Sequence, residues 1–253
     1  LKTANGIGHS LFFHDFYYLY LTPNKKKHLN TDKIRRQFDS IAEKYDEGRR
    51  CFIPCFDDYY VNSISLLKEI VPEAKKIADL GAGTGLLTKE MYMLYPDAQF
   101  TLIDISDDML EVARRRFAGL EGFNFKAADY SHDLPDGCDI ICSALSIHHL
   151  TDELKRQLYR TIFEALPEGG VLINLDQFKA DSPVIDKAWT DWWINYIDRS
   201  AITAEEKAKW LERKKLDREN SVAATLGMLR EAGFAQAECV YEFMKFATVI
   251  AVK

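Results

Sequence analysis

One short glycine-rich stretch, Asp79-Leu80-Gly81-Ala82-Gly83-Thr84-Gly85, most constrains what this chain can fold into. It follows an apolar segment and precedes an amphipathic one, and its alternating glycines let the backbone turn sharply and approach a ligand closely. An acidic residue, Asp104, stands about twenty positions beyond the loop, where its carboxylate suits the two hydroxyls of a ribose. The pattern predicts a strand, a tight loop and a helix in a nucleotide-binding α/β fold.

The residues around the loop narrow the choice of ligand. Asp79 stands two residues before the first glycine, where its charge would repel a pyrophosphate but favour a positively charged ligand. Leu86 occupies the position at which a dinucleotide-binding loop usually has its third small residue. S-adenosylmethionine (SAM) has a ribose, a sulfonium and an ammonium but no phosphate. The loop therefore suits SAM better than NAD.

Apolar and amphipathic segments alternate along the middle of the chain, which predicts a parallel sheet with helices on both faces. The predicted strands span residues 77–80, 100–104, 124–127, 139–143, 171–176, 237–241 and 246–252. The predicted helices span residues 31–47, 57–71, 106–118, 151–166 and 221–231, with another ending at 95 and a helical, tryptophan-containing segment over 181–218.

Four motifs in order resemble those of the class I SAM-dependent methyltransferases. They are the glycine loop, the acid at Asp104, Ala128-Asp129-Tyr130, and the stretch from Ser143 to Leu150. The resemblance extends from about Phe38 to Lys253. It implies a Rossmann-like, doubly wound, seven-stranded and mainly parallel sheet, whose last two strands form a hairpin. It also implies lid helices over 31–72, a SAM-binding core over 76–176, a helical cap over 181–218 and a C-terminal helix and hairpin over 220–253, after an N-terminal extension at 1–30.

The same resemblance implies how the cofactor is held. The glycines lie against the methionine portion, Asp104 binds the ribose, Ile105 and Met109 sandwich the adenine, and Asp129 bonds the adenine amino group. Tyr45 closes over the methyl group, and Arg49 or Arg50 pairs with the methionine carboxylate. The predicted cofactor-binding residues are Tyr45, Arg50, Asp79, Gly81, Ala82, Gly83, Asp104, Ile105, Met109, Asp129, Tyr130 and Ala144.

The predicted catalytic residues are His148, His149 and Tyr45. The two histidines follow the fourth strand, where the family places groups that face the acceptor, and a histidine can take a proton from a hydroxyl or amine. Otherwise they cap the next helix or position SAM. No metal site is predicted, because Cys51 and Cys55 lack a second matching pair of ligands.

Methyl transfer from SAM to a nucleophilic oxygen or nitrogen of a small molecule or peptide is the predicted function, with S-adenosylhomocysteine as product. Proximity is its largest expected contribution. A closer resemblance, in the segment from Phe38 onward and over 229–234 and 246–253, is to the carboxy-SAM synthases of tRNA wobble-uridine modification. These build carboxy-SAM from SAM and prephenate and hold the added carboxylate with an arginine. That position falls at Trp210 here, with Arg213 three residues away. A non-catalytic SAM-binding subunit is a third alternative.

Composition limits the remaining possibilities. A net charge of −6 argues against a protein that grips nucleic acid over a wide basic surface, although it does not exclude an RNA substrate. Five cysteines, an odd number, favour reduced thiols and a cytoplasmic location. The aromatic segment 11–21 is too short to span a membrane. We expect it to pack on the domain or on a partner, unless it is part of a longer parent chain, and a homodimer through the extension or the cap is predicted.

Overall fold

The computed structural model of the chain describes Arg36, Phe38 and residues 45–253, with only the backbone at Tyr45 and Glu47. The predicted N-terminal extension at 1–30 and most of the predicted helix over 31–47 lie outside these residues. Among the helices described, none is both long and apolar enough to cross a lipid bilayer.

The described part of the chain forms one seven-stranded sheet in the order β3-β2-β1-β4-β5-β7-β6. The strands are β1 Lys76–Leu80, β2 Gln99–Asp104, β3 Phe123–Ala127, β4 Ile140–Ala144, β5 Val171–Gln177, β6 Gln236–Phe243 and β7 Phe246–Val252. The first five are parallel, whereas β7 runs antiparallel to both β5 and β6. The predicted doubly wound sheet with a terminal hairpin is therefore confirmed, and its strand order reverses beside β1.

Seven regular α-helices surround the sheet in the described residues. They are α1 Tyr45–Phe52, α2 Leu86–Leu94, α3 Asp107–Arg116, α4 Asp152–Ala165, α5 Pro183–Asp198, α6 Ala204–Lys214 and α7 Val222–Ala232. An irregular helical segment precedes β1 and consists of a π turn, Asp58–Asn62, and the short stretches Ser63–Ser65 and Leu67–Ile70. Helix α3 begins where the sequence predicts, because the Ser106 side chain accepts a hydrogen bond from the Met109 amide.

The core has two parts, one on each face of the sheet. One contains Leu87 and Leu110 with the irregular helical segment and α5, and the other contains Leu158 and Leu229 of helices α4 and α7. Strand β4 contributes to both, because successive side chains of a strand point to opposite faces. Burial on both faces explains why the parallel strands read as nearly continuous apolar runs.

The tryptophans of the 181–218 segment divide into two buried and two less buried residues. Trp193 and Trp210 pack edge to face with ring centroids 4.9 Å apart, and the Trp193 indole donates to the Phe52 carbonyl at 2.6 Å. Trp192 is 37% exposed. The buried pair thus joins α5 and α6 to α1, while the predicted role of this segment as a substrate cap stays a prediction.

Candidate active site

A cavity opens at the carboxyl ends of β1, β2 and β4, with an empty volume of about 880 Å³ that includes its mouth. This is the position at which open α/β sheets bind ligands. Its wall contains all the predicted cofactor-binding residues except Tyr45 and Arg50, namely Asp79, Gly81, Ala82, Gly83, Asp104, Ile105, Met109, Asp129, Tyr130 and Ala144. His149 also lies in the wall.

The glycine loop needs glycine for two separate reasons. Gly81 and Gly83 have φ values of +70° and +55°, a region that side chains rarely adopt. In addition, a Cβ atom on Gly81 would lie 1.9 Å from Oγ of Ser146, which follows β4. The loop therefore presents bare backbone to the cavity, as close approach to a ligand requires.

Asp104 ends β2 and holds the loop in shape. One carboxylate oxygen accepts from the Gly83 amide at 2.8 Å, and the other accepts from the Ser106 amide at 2.8 Å. Each carboxylate oxygen can accept more than one hydrogen bond, and a carboxylate at this position suits the hydroxyls of a ribose.

Asp79 in β1 is the most buried carboxylate of the cavity wall, at 2% exposure. Its Oδ2 accepts from the Thr88 hydroxyl at 2.6 Å, whereas Oδ1 is buried without a hydrogen-bond partner in the described structure. Burial raises the pKa of Asp79 to about 7, with a smaller contribution in the same direction from the charge of Asp104. A buried acceptor of this kind fits the ammonium group of SAM.

Asp129 and Tyr130, which follow β3, also line the cavity. One Asp129 carboxylate oxygen accepts from the amide and the hydroxyl of Ser131, at 2.9 and 2.7 Å. The Tyr130 hydroxyl pairs with Ser146 Oγ at 2.8 Å. With Met109 in the same wall, these residues offer apolar surface and one acidic acceptor, as an adenine ring requires.

The described wall of the cavity contains three carboxylates, from Asp79, Asp104 and Asp129, and no lysine or arginine. This charge distribution favours a ligand with positive charge and disfavours a polyphosphate. The cavity thus fits SAM by the unpartnered acceptor Asp79 Oδ1 and by its charge.

The two predicted catalytic histidines occupy different environments. His148 is 3% exposed and is not part of the cavity wall, and its Nδ1 lies 2.5 Å from Asp176 Oδ1. His149 borders the cavity, and its Nδ1 has no hydrogen-bond partner in the described structure. Asp217 Oδ1 lies 3.4 Å from both His148 Nε2 and His149 Nδ1.

The electrostatics of the two rings are opposite. Burial disfavours a charge on His148, but the carboxylates of Asp176 and Asp217 outweigh it and raise its pKa to about 10. Burial, aided by the charge of His148, lowers the pKa of His149 to about 3. His149 is therefore neutral at pH 7, yet too weak a base to match the ordinary requirement for proton abstraction. Its role as general base stays a prediction, as does that of His148.

The structure does not bring Arg50 to the cavity. Its guanidinium bonds both carboxylate oxygens of Asp57, at 2.9 and 2.6 Å, and lies 4.5 Å from the centre of the Phe56 ring. The side chain of Tyr45 lies outside the described residues, so its predicted contact with the methyl group stays a prediction.

Helix α1 reaches the glycine loop through Asp46 instead. The Thr84 hydroxyl donates to Asp46 Oδ1 at 2.6 Å, Arg116 Nε donates to the Thr84 carbonyl at 2.8 Å, and a second Arg116 nitrogen pairs with Asp46. These three residues connect α1, the loop and the end of α3.

Sequence reasoning missed several residues of the wall: Tyr60, Thr84, Leu86, Leu87, Leu145, Ser146 and Leu150. Leu145 adopts a φ of +53°, which a leucine in the sequence does not predict. Thr84 and Leu86 belong to the glycine loop region, whereas Tyr60 comes from the irregular helical segment and carries no local motif. Phe38, from the predicted lid helix, also lines the cavity.

Comparisons with known proteins agree with this fold. Residues 77–170 match the family described as "Methyltransferase domain". The match begins in β1 and ends just before β5, and therefore includes the glycine loop, Asp104, Asp129 and both histidines.

Curated relatives resemble nearly the whole chain at low identity. The carboxy-S-adenosyl-L-methionine synthase of Campylobacter hominis is 25% identical over 240 residues, covering 90% of this chain and 100% of that protein. The enzyme of the same name from Nautilia profundicola is 22% identical over 230 residues, covering 87% and 96%.

Solved structures show the same fold. The pyocyanin biosynthetic protein PhzM superposes with a TM-score of 0.60 at 19% identity, over 85% of this chain and 61% of that one. Human N-acetylserotonin methyltransferase, in complex with SAM, superposes with a TM-score of 0.55 at 17% identity, over 96% of this chain and 60% of that one. This chain thus spans about 60% of each neighbour.

The fold is that of the class I SAM-dependent methyltransferases, and residues 77–170 form a methyltransferase domain. The cavity in this domain fits SAM as the cofactor.

Proposed function

We propose that this chain transfers the methyl group of SAM to an oxygen or nitrogen nucleophile of a small molecule or peptide. The observation that carries the proposal is the wall of the cavity, which combines three carboxylates with no described lysine or arginine. SAM, when bound, would supply a methyl group on positively charged sulfur: the acceptor–methyl bond forms as the sulfur–methyl bond breaks, S-adenosylhomocysteine leaves, and the proton of an O–H or N–H acceptor passes to water.

The chain's own residues would hold the cofactor by distinct contacts. The buried Oδ1 of Asp79 suits the ammonium, and Asp104 suits the ribose hydroxyls. Asp129 and Met109 suit the polar edge and the face of the adenine. None of these groups needs to exchange a proton during the reaction, so their contribution is binding and orientation.

The acceptor would lie against the wall formed by Phe38, Tyr60 and His149. In-line displacement from a sulfonium depends mainly on alignment of the two reacting atoms, and a wall of rigid rings supports this. The low pKa of His149 supports a positioning role for the neutral ring more than proton abstraction.

Methyl-labelled SAM tests the proposal. The purified chain is incubated with it and with a fractionated extract, and labelled products are separated by size and identified by mass spectrometry. We expect labelled small molecules or peptides with the wild type, and more than a tenfold loss with Asp79→Asn. Asp97→Asn, which changes an exposed aspartate, should retain full transfer. Label that enters only high-molecular-weight RNA would contradict the small acceptor.

A second candidate is a carboxy-SAM synthase-like reaction on SAM itself. The names of the curated relatives favour it more than they favour any particular oxygen or nitrogen acceptor. The described site offers less support, because the arginine position of those enzymes falls at Trp210, which is buried against Trp193 and Phe52. Arg213 is not among the described residues of the wall.

Mass spectrometry of the bound ligand distinguishes the candidates. The chain is purified, incubated with SAM and prephenate, and denatured to release what it holds. Carboxy-SAM among the released compounds would favour the second candidate. SAM or S-adenosylhomocysteine alone, together with transfer to an acceptor, would support the first. Tight SAM binding without any transfer would favour a non-catalytic subunit.

A further inference from the structure

Two histidines and an aspartate meet behind the wall of the cavity, at the end of β4. His148 Nε2 and His149 Nδ1 each lie 3.4 Å from Asp217 Oδ1, and the three ligand atoms all lie within 4.8 Å of one another. The side chains are 3%, 11% and 9% exposed, respectively. Three groups able to coordinate a cation thus lie close together and are almost fully buried.

The spacing of these atoms suits a small divalent cation. Ligands at about 2.1 Å from a tetrahedral Zn²⁺ are separated by about 3.4 Å. Two of the three separations already have this value, and the third is no more than 4.8 Å. An ion pair accounts for the contact of His148 with Asp217, but it leaves His149 Nδ1 buried without a hydrogen bond in the described structure.

The second ring nitrogen of His148, Nδ1, contacts a carboxylate, as that of a metal-binding histidine usually does. Its Nδ1 lies 2.5 Å from Asp176 Oδ1, and its backbone amide donates to Asp176 Oδ2 at 2.9 Å. A buried carboxylate in this position fixes the ring and directs Nε2 towards the cation. Asp176 belongs to β5, so the sheet itself sets the orientation of the ligand.

The segment that carries Asp217 is also fixed. The Arg218 amide donates to the His148 carbonyl at 2.8 Å. Lys155, which is 3% exposed, donates to the Arg218 carbonyl and to Asn220 Oδ1. Lys214 lies 3.5 Å from Asp217 Oδ2, which leaves Oδ1 for the two rings. The third ligand is therefore held in place before any cation arrives.

We propose that His148 Nε2, His149 Nδ1 and Asp217 Oδ1 bind a divalent transition-metal ion such as Zn²⁺, with Asp176 as the residue that positions His148. Two nitrogens and one carboxylate oxygen form a ligand set that leaves a further coordination position open. Because His149 also borders the cavity, the ion would lie beside the cavity. His149 would then hold the ion and would not accept a proton at Nδ1. This inference does not rest on the proposed methyl transfer.

Metal titration of the EDTA-treated chain tests the site. Zn²⁺ is titrated in competition with a chromophoric chelator, and Co²⁺ is titrated while visible absorption is recorded. We expect one tight equivalent of Zn²⁺ and the intense absorption of four-coordinate Co²⁺. Asp217→Asn should weaken Zn²⁺ binding at least a hundredfold, and Asp176→Asn ten- to a hundredfold. His132→Asn, which removes an exposed histidine, should change nothing.

The wild-type Co²⁺ spectrum decides the question even if a variant fails to fold. Absence of the absorption, or Zn²⁺ binding that Asp217→Asn leaves unchanged, would overturn the site and indicate adventitious binding elsewhere. SAM affinity is measured on the same samples. A chain that binds SAM but no metal refutes this inference alone, whereas one that binds metal but not SAM refutes the proposed function alone.

Discussion

Gly81 lies so close to Ser146 that a Cβ atom on the glycine would be 1.9 Å from the serine Oγ and 2.4 Å from its Cβ. The same Oγ pairs with the Tyr130 hydroxyl at 2.8 Å. The loops that follow β1 and β4 therefore contact each other directly, and Tyr130 is fastened to the contact. This junction forms the floor of the SAM cavity.

Substitution of Gly81 by alanine should lower the free energy of unfolding by more than the positive φ of this residue alone explains. Alanine at positive φ costs about 1–2 kcal/mol, and overpacking adds about 1–3 kcal/mol. Gly137→Ala is the matched control, because φ there is +67° and nothing lies within 4 Å of the added methyl. In urea unfolding, the free energy of unfolding of Gly81→Ala should be about 2 kcal/mol lower than that of Gly137→Ala. Titration calorimetry should show loss of SAM binding only for Gly81→Ala. Equal losses of stability would contradict the contact.

SAM affinity should rise with pH below about 7, because the pKa of Asp79 is raised to about 7 in the folded chain. Burial disfavours the charged form of this carboxyl group in the folded chain. The free energy of unfolding of the unliganded chain therefore falls as pH rises from about 4, the usual pKa of an aspartate, to about 7. A cationic ligand favours the ionised form, so binding should strengthen up to tenfold per pH unit between pH 5.5 and 6.5. Calorimetric titration at several pH values measures this, and Asp79→Asn should bind weakly with little dependence on pH. A flat wild-type profile would contradict the assignment of Asp79.

Arg116 should strengthen SAM binding without touching SAM. It joins the Thr84 carbonyl to Asp46 of α1, with side chains 21% and 33% exposed for Arg116 and Asp46. Such a partly exposed pair contributes about 1 kcal/mol, which corresponds to about a fivefold change in affinity. Arg116→Gln should raise the Kd for SAM by about this factor. Arg114→Gln removes the same charge from the same helix, where its ion pairs are with exposed Asp107 and Glu111, and should leave the Kd unchanged. Equal effects of both would indicate a general charge effect.

Trp193 should matter for stability through its indole N–H. That group donates to the Phe52 carbonyl at 2.6 Å, and the ring is 2% exposed. Trp193→Phe should lower the free energy of unfolding by about 1–3 kcal/mol, because the partly buried Phe52 carbonyl loses its donor. Trp192→Phe, at a ring that is 37% exposed, should change it by less than about 0.5 kcal/mol. Similar melting curves for the two variants would refute the role of the hydrogen bond.

Local patterns predicted what is local in the fold. The alternation of apolar and amphipathic segments gave the strands and most helices, and the Ser106 cap gave the start of α3. Helix α1 extends past the predicted end at residue 47, because its last residues pack against α5. No local sequence pattern predicts this contact. Arg50 was predicted to meet SAM, but a carboxylate seven residues away at Asp57 holds its guanidinium outside the cavity.

The part of the site that binds the methyl donor could be read from the residues alone. Gly81, Gly83 and Asp104 act through backbone freedom and charge at fixed spacing, and these properties are visible in the residues themselves. The other features of the site arise when distant segments fold together. Folding buried Asp79 enough to raise the pKa of its carboxyl group, placed Tyr60 in the cavity wall, and brought Asp176 and Asp217 to opposite sides of His148. Burial and pairing depend on which distant segments fold together, and no single segment contains that information.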